Sequence, residues 1–466
     1  MKIKQVKNLD WVMKLICALT FFLGAFENSV AAEKPDIVFI LVDDLGSYDV
    51  GWRGSEIKTP NLDKLANRGA KLEQFYVQPV CSPTRSSLMT GRYPIRYGLQ
   101  VGVIRPWADY GLSLEERTLP QALREVGYST AICGKWHLGS FEKPYWPNAR
   151  GFDKFYGHLF GALDYYTHER DGKFDWYRDV ESNHDEGYTT HLIGKEAVKI
   201  LREQPKSQPL FLYVPFNAPH APLQVPENYK ASYANLKGAR QTYAGMVAAL
   251  DEMVGQIVAA VDDTGRRKNT LFIFASDNGG PKPGVVTSNG PLRSGKGTLY
   301  EGGVHTCAFA TWDDHIKTGS TVNAMAHMVD WYPTLLKLTG ASLKQKLPLD
   351  GRDIWPCITK GKSSPHDEIL LNATPDAGAI RVGDWKLVIN GNKNDVDEEK
   401  SDDKGANGNQ RRRKKDKAAA QIELFNLAAD PYEKMNLAET KPEKVKQLQA
   451  RYDAYAKQAV PPKNVK

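Results

Sequence analysis

Short apolar runs rich in β-branched residues recur along the chain, at residues 36–42, 128–133, 209–214, 270–275 and 306–311. Most lack the polar alternation of a half-exposed strand, so they read as strands buried on both faces of a parallel sheet. Stretches of helical period lie between them. The clearest covers residues 240–262. There Tyr243, Met246, Val247, Leu250, Met253, Val254, Ile257, Val258 and Val261 form an apolar stripe that predicts a core helix. Residues 119–126 predict a shorter helix before the second strand. Strands alternating with helices imply an α/β domain with a mainly parallel sheet.

The pattern changes near residue 340. Residues 379–389 hold a Gly-Asp turn between two apolar runs, and 422–427 is another short strand. A small antiparallel sheet is expected, with a last helix at about 444–459 packed on it. Residues 391–420 carry nine Lys/Arg and seven Asp/Glu, with Val396 as the only large apolar residue, so they predict a solvated, disordered insert. The run 411–415 reads as a solvated face or as a contact for an anionic polymer. These divisions give a catalytic domain at 33–340 and a C-terminal subdomain at 341–466.

The start of the chain reads as an export signal, residues 1–32. Lys2, Lys4, Lys7 and Lys14 precede an apolar run at 15–26, and Val30-Ala31-Ala32 offers the small residues of a cleavage site. That run is short for a bilayer span, and no later stretch reads as long and apolar enough to cross one. A secreted or periplasmic protein follows.

Composition narrows the function classes. The chain is 41% hydrophobic and 25% charged, which excludes a mainly disordered polymer. Its net charge of +7 is too diffuse for a nucleic-acid footprint. Five cysteines are too few for a disulfide scaffold, and the pairing of those left after cleavage stays open.

The polar residues that matter sit just beyond the predicted strands. Asp43 and Asp44 follow the first, Lys135 and His137 the second, His220 the third, and Asp277 and Asn278 the fourth. In a parallel sheet these ends share one edge, where ligand sites form. Three carboxylates and a carboxamide are hard oxygen donors that suit Ca²⁺ or Mg²⁺ better than zinc. Arg85, Lys135, His137, His220 and Lys296 supply cations and imidazoles suited to a tetrahedral oxyanion such as sulfate or phosphate. Pro83 fits a first helical turn, which puts Cys81 at a helix N-terminus. Local physics leaves both a reactive and an inert buried thiol open.

Cys81-x-Pro83-x-Arg85 followed by Thr90-Gly91-Arg92 resembles the signature of the type I sulfatases, and residues 134–139 (GKWHLG) resemble the second signature of that family. The resemblance covers most of the chain beyond the leader. The stretches 90–100 and 164–168 look most like the arylsulfatase B branch. It implies an alkaline phosphatase-like α/β domain with a mixed sheet flanked by helices, followed by a smaller domain with an antiparallel sheet and helix. It also implies that a maturation enzyme converts Cys81 to Cα-formylglycine (3-oxoalanine). Asp43, Asp44, Asp277, Asn278 and the modified residue 81 would hold one Ca²⁺. By the same resemblance, a hydroxyl of hydrated formylglycine attacks sulfur while Lys135 and Lys296 neutralise sulfate oxygens. His220 protonates the leaving alcohol, His137 takes the proton of the second hydroxyl, and Arg85 fixes the diol and an Asp ligand.

The branch implies an exo-acting carbohydrate sulfatase, acting on a 4-sulfated hexosamine or on an algal polysaccharide such as ulvan or a galactan. Tyr165, Tyr166, His168, Trp176, Tyr177 and His191 are candidates for a sugar subsite. Two alternatives stand beside this one. The first is a phosphate or phosphonate ester hydrolase of the same superfamily. The second is a non-catalytic sulfated-glycan binder with Cys81 unmodified.

Overall fold

Every residue of β1 (Asp36–Val42) is buried, so the strand needs cover on both faces and a partner on each edge. The computed structural model, which describes residues 34–392 and 420–463, supplies both. The leader 1–32 and most of the charged insert 391–420 lie outside the described residues. In chain order the other strands of the main sheet are β2 (Ala70–Leu72), β3 (Ser129–Lys135), β4 (Lys154–His158), β5 (Tyr177–Arg178), β6 (Glu181–Ser182), β7 (Leu210–Pro215), β8 (Thr270–Ser276), β9 (Ala308–Thr311) and β10 (Ser320–Val322). Their spatial order is β10-β2-β9-β8-β1-β7-β3-β4-β5-β6. The run β8-β1-β7-β3-β4 is parallel throughout. The strand expected at 306–311 is β9, which pairs antiparallel with β8 and so closes the parallel set.

Side chains of β1 alternate between two cores. Ile37, Phe39 and Leu41 pack with α1 (Cys81–Thr90), α2 (Leu119–Arg124) and α5 (Trp331–Thr339), while Val38, Ile40 and Val42 pack with α3 (Thr189–Glu203) and α4 (Gly238–Asp263). The expected stripe of α4 is core, with Tyr243, Met246, Val247, Leu250, Met253, Val254, Ile257 and Val261 all buried. One expectation is corrected here. By length and composition α4 is apolar enough to cross a bilayer, but 67% of its apolar window is buried inside the protein, as in a core helix. Cys81, Cys133, Cys307 and Cys357 are all buried, and none is in a disulfide among the described residues.

The second sheet is antiparallel in simple sequence order: β11 (Glu368–Ala373), β12 (Gly378–Val382), β13 (Trp385–Ile389) and β14 (Ile422–Asn426). One face takes Leu448 and Tyr452 of α6 (Pro442–Ala456). The other packs on Tyr76 and on Leu299, Tyr300 and Val304, the last three shortly after Lys296 in the chain. The small sheet therefore backs a loop of the main-sheet edge.

The register brings the strand ends level. Val42 lies opposite Ser276, and Leu41 opposite Pro215. The segments leaving β1, β7, β8 and β3 consequently begin at one edge.

Candidate active site

Two of the strand ends turn their polar residues through a left-handed backbone conformation. Asp44 has φ 66° and His137 φ 58°, both in the left-handed region that non-glycine residues enter at a cost. Tyr243 braces the Asp44 turn, its hydroxyl accepting from Gly46 N at 3.0 Å and donating to Asp44 O at 3.3 Å. The His137 turn is held by its own amide, which donates to Leu159 O at 3.1 Å. Tyr165 Oη donates to the carbonyls of Asn217 (3.0 Å) and His220 (2.8 Å), bracing the loop beyond β7.

The structure brings the candidate metal ligands and the candidate catalytic residues into one linked cluster. Lys135 Nζ makes a close ion pair with Asp43 Oδ2. Arg85 donates to Asp277 Oδ2 through Nη2 (2.8 Å) and Nε (3.0 Å), lies 3.6 Å from Asp43, and donates to Lys135 O at 3.2 Å. Asn278 Nδ2 donates to Asp44 Oδ1 at 2.7 Å. Lys296 Nζ lies 3.0 Å from the Asp44 carboxylate, and His220 Nε2 lies 3.5 Å from its Oδ2. Cys81, the first residue of α1, has its Sγ 3.3 Å from His137 Nδ1.

Ligand-capable atoms of Asp43, Cys81 and Asp277 fall within 4.8 Å of one another, as do those of Asp43, Asp44 and His220. Two oxygens in this cluster, Asp43 Oδ1 and Asn278 Oδ1, are buried without a hydrogen-bond partner. Both are acceptors only, and a buried acceptor left unpaired is costly. A hard divalent cation beside Asp43, Asp44, Asp277 and Asn278 answers that cost, so the residues present fit such an ion.

The electrostatics agree. Burial raises the Asp43 carboxyl, but Lys135, His220, Arg85 and Lys296 together outweigh it and hold it below the usual carboxylate range. Burial pushes Asp277 up to about 7, with Asp43 and Asp44 adding to the effect and Arg85 and Lys135 opposing it. Carboxylates so close strain against one another's charge, and a cation between them relieves it.

The two histidines have their proton positions set by carbonyls. Ile104 O lies 2.9 Å from His137 Nε2 and can only accept, so Nε2 carries the hydrogen and Nδ1 turns a lone pair to residue 81. Ala221 O lies 2.6 Å from His220 Nδ1, so Nδ1 is the donor there and Nε2 faces the cluster.

A cleft of about 670 Å³ opens over this cluster, lined by Asp44, His137, His220 and Lys296 at its base. The aromatic candidates for a sugar subsite are corrected: none of the six lines it. Tyr165, His168 and Trp176 are buried, and His168 stacks on Trp176 with ring centres 4.7 Å apart. These rings are core because hairpin and loop fold them inward over β4. The walls come instead from Val103, Arg105, Pro106, Asp164, Arg170 and Lys282. Sequence reasoning also missed Ile104, which acts through its backbone carbonyl, and Gly161, which packs on the His137 ring. Neither carries a signal in its own residue type.

Comparison with known proteins follows the same line. The Sulfatase family model matches residues 35–341. Arylsulfatase J of Mus musculus is 40% identical over 465 residues, covering 93% of this chain and 78% of its own length. Arylsulfatase A of Bos taurus is 35% identical, covering 80% and 78%. Among solved structures, Ps i-CgsB in complex with k-i-k-neocarrahexaose superposes with TM-score 0.80 at 30% identity, over 92% of this chain and 94% of that one. PsFucS1 sulfatase from Pseudoalteromonas sp. does so with TM-score 0.74 at 25% identity, over 97% and 96%. The alkaline phosphatase-like architecture expected from the sequence is the one these relatives share. Signature residues, sheet-edge site and relatives converge: the chain belongs to the sulfatase family and is a sulfuric ester hydrolase of the arylsulfatase type.

Proposed function

We propose that this sulfatase removes sulfate from carbohydrates at a chain end, outside the cytoplasm, with galactans or 4-sulfated hexosamines as its substrate class. Ps i-CgsB, a neighbour in fold, was solved with a neocarrahexaose, and N-acetylgalactosamine-6-sulfatases are among the relatives in sequence. The basic leader and its small-residue end support export.

Residue 81 is formylglycine in the mature enzyme. Cys81 is fully buried, so the maturation enzyme must reach it before folding is complete. Asp43, Asp44, Asp277 and Asn278 would hold one Ca²⁺. When present, the hydrated aldehyde and the ion supply an activated hydroxyl and a Lewis acid at sulfur. The side chains already in place do the rest. Lys135 and Lys296 offset the charge of the sulfate oxygens. Protonated His220 carries its mobile proton on Nε2, the nitrogen facing the cleft, and delivers it to the departing sugar oxygen. His137, with its lone pair on Nδ1, accepts a proton from residue 81 and frees sulfate. Arg85 anchors Asp277 with two N–H groups so that neither carboxylate nor residue 81 drifts.

The observation that carries this reading is the approach of His137 Nδ1 to within 3.3 Å of residue 81, beside Asp43 and Asp277. Mass spectrometry across residue 81 of the secreted protein, paired with sulfate release from position-defined sulfated oligosaccharides, tests it. Formylglycine together with release from a chain-end sugar is expected. An unmodified thiol with no release would overturn the proposal and leave a glycan binder.

A further inference from the structure

Beyond the sulfuryl centre the cleft wall carries three cations, Arg105, Arg170 and Lys282, beside three acids, Asp164, Glu169 and Asp171. Arg105 lines it, half-buried, and forms no ion pair among the described residues. Arg170, also on the wall, has Asp171 3.7 Å away. Lys282, the third cation of that wall, also has a partner of its own. Among the described residues Arg105 is the wall cation without an ion pair.

Its backbone is fixed from both sides. Ile104 N donates to Ser82 Oγ at 3.1 Å, and Ile104 O accepts from His137 Nε2 at 2.9 Å. Ala108 N donates to Arg105 O at 2.9 Å, and Pro106 restricts the chain between. Arg105 thus stems from a segment tied to the neighbour of residue 81 and to the imidazole that faces it. A guanidinium held this way presents a rigid planar fork of N–H donors that matches an oxyanion. A carboxylate partner of the protein's own would neutralise it, and none among the described residues pairs with it.

Resting on the carbohydrate reading above, we propose that Arg105 binds a second sulfate ester of the substrate, so that the enzyme selects glycans sulfated at more than one position. The second sulfate is held, not cleaved. Its loss should raise KM more than it lowers kcat, since the contact exists in ground state and transition state alike.

The test compares kcat/KM for a disulfated disaccharide and its monosulfated counterpart, with sulfate release read by position. A third substrate carries a uronate carboxylate in place of the second sulfate. In the wild type the disulfated sugar is preferred. Arg105→Ala should cut that preference by about 10- to 100-fold, the worth of a charge-assisted pair. Arg105→Lys should retain part of it and also serves if the alanine variant folds poorly. A preference unchanged within twofold, or a loss seen only with the uronate, overturns the proposal. Wild-type enzyme that turns over aryl sulfate but no sugar sulfate fails the carbohydrate reading itself, a different result from an Arg105 variant with unaltered preference.

Discussion

Lys386 of β13 places its Nζ 2.8 Å from Glu301 Oε1 and 2.8 Å from Glu433 Oε1, with all three side chains buried. The small sheet is thereby pinned to the segment that follows Lys296. Tyr76 adds to the same knot, its hydroxyl donating to Glu301 Oε2 at 2.8 Å. Lys386→Met leaves two buried carboxylates without their cation, and the expected cost is about 3–5 kcal/mol. Urea unfolding measures it. A loss under about 1 kcal/mol would show that the pin is dispensable.

The same knot sets a pH dependence of stability. Burial, with Glu301 beside it, pushes Glu433 up to about 7 against the pull of Lys386. The unfolded carboxyl titrates near 4.5. Between those values the native state keeps a proton that the unfolded state has lost. Stability from this group therefore falls as pH rises from about 4.5 to about 7, by at most about 1.4 kcal/mol per pH unit. Glu301, where Lys386, His305 and Arg381 outweigh burial and hold the carboxyl low, contributes stability that is lost only on further acidification. Thermal melting across pH 4.5–8 should show the decline, and Glu433→Gln should flatten it. Parallel profiles for the two proteins would refute the assignment.

Calcium should stabilise the fold as well as support turnover. Dialysis against a chelator is expected to lower Tm, and titration with CaCl₂ to restore it, with about 2.7 kcal/mol of stability gained at a hundredfold excess over Kd. Asn278→Ala removes one of the two unpartnered oxygens and should weaken that response. Calorimetry and metal analysis of the dialysed protein give the answer. A Tm indifferent to calcium in both proteins would count against the ion.

His220 should matter most where the leaving oxygen is most basic. A sugar alkoxide needs a proton, whereas a nitrophenolate leaves without one. His220→Ala is expected to slow sugar sulfates by about 10²–10⁴-fold and nitrophenyl sulfate far less. Equal losses on the two substrates would place His220 elsewhere in the mechanism.

Gly161 gives the imidazole of His137 its room. A Cβ there would stand 2.5 Å from His137 Cε1 and 2.6 Å from Nε2, so Gly161→Ala must push the ring off Ile104 O. Loss of about 100-fold in kcat is expected from such a displacement, with little change in Tm. Full activity would mean that the ring's position is not critical.

Local pattern alone was enough for the framework. Runs of consecutive apolar residues marked β1, β3, β7, β8 and β9, and a helical stripe marked α4, because burial on both faces or one writes itself into neighbouring residues. Strand β4, Lys-Phe-Tyr-Gly-His, escaped notice because its polar residues break the run and only pairing with β3 makes it a strand. The antiparallel sense of β9 was hidden as well, since a strand's direction is decided by its partner. At the site, Asp43, Asp44, Lys135, His137, His220, Asp277 and Asn278 could be named from their places after the strands, since parallel register aligns those ends, whereas Arg85 and Lys296 lie on a helix and in a loop away from any strand end. The protein's own sequence thus determined which elements form and which chemical groups crown them. Tertiary structure alone decided that Tyr165 braces a backbone, that Ile104 and Gly161 set the His137 ring, and that Arg105 forms no ion pair among the described residues. Those outcomes depend on distances between segments remote in the chain, and such distances are set by packing, not by the identity of any one residue.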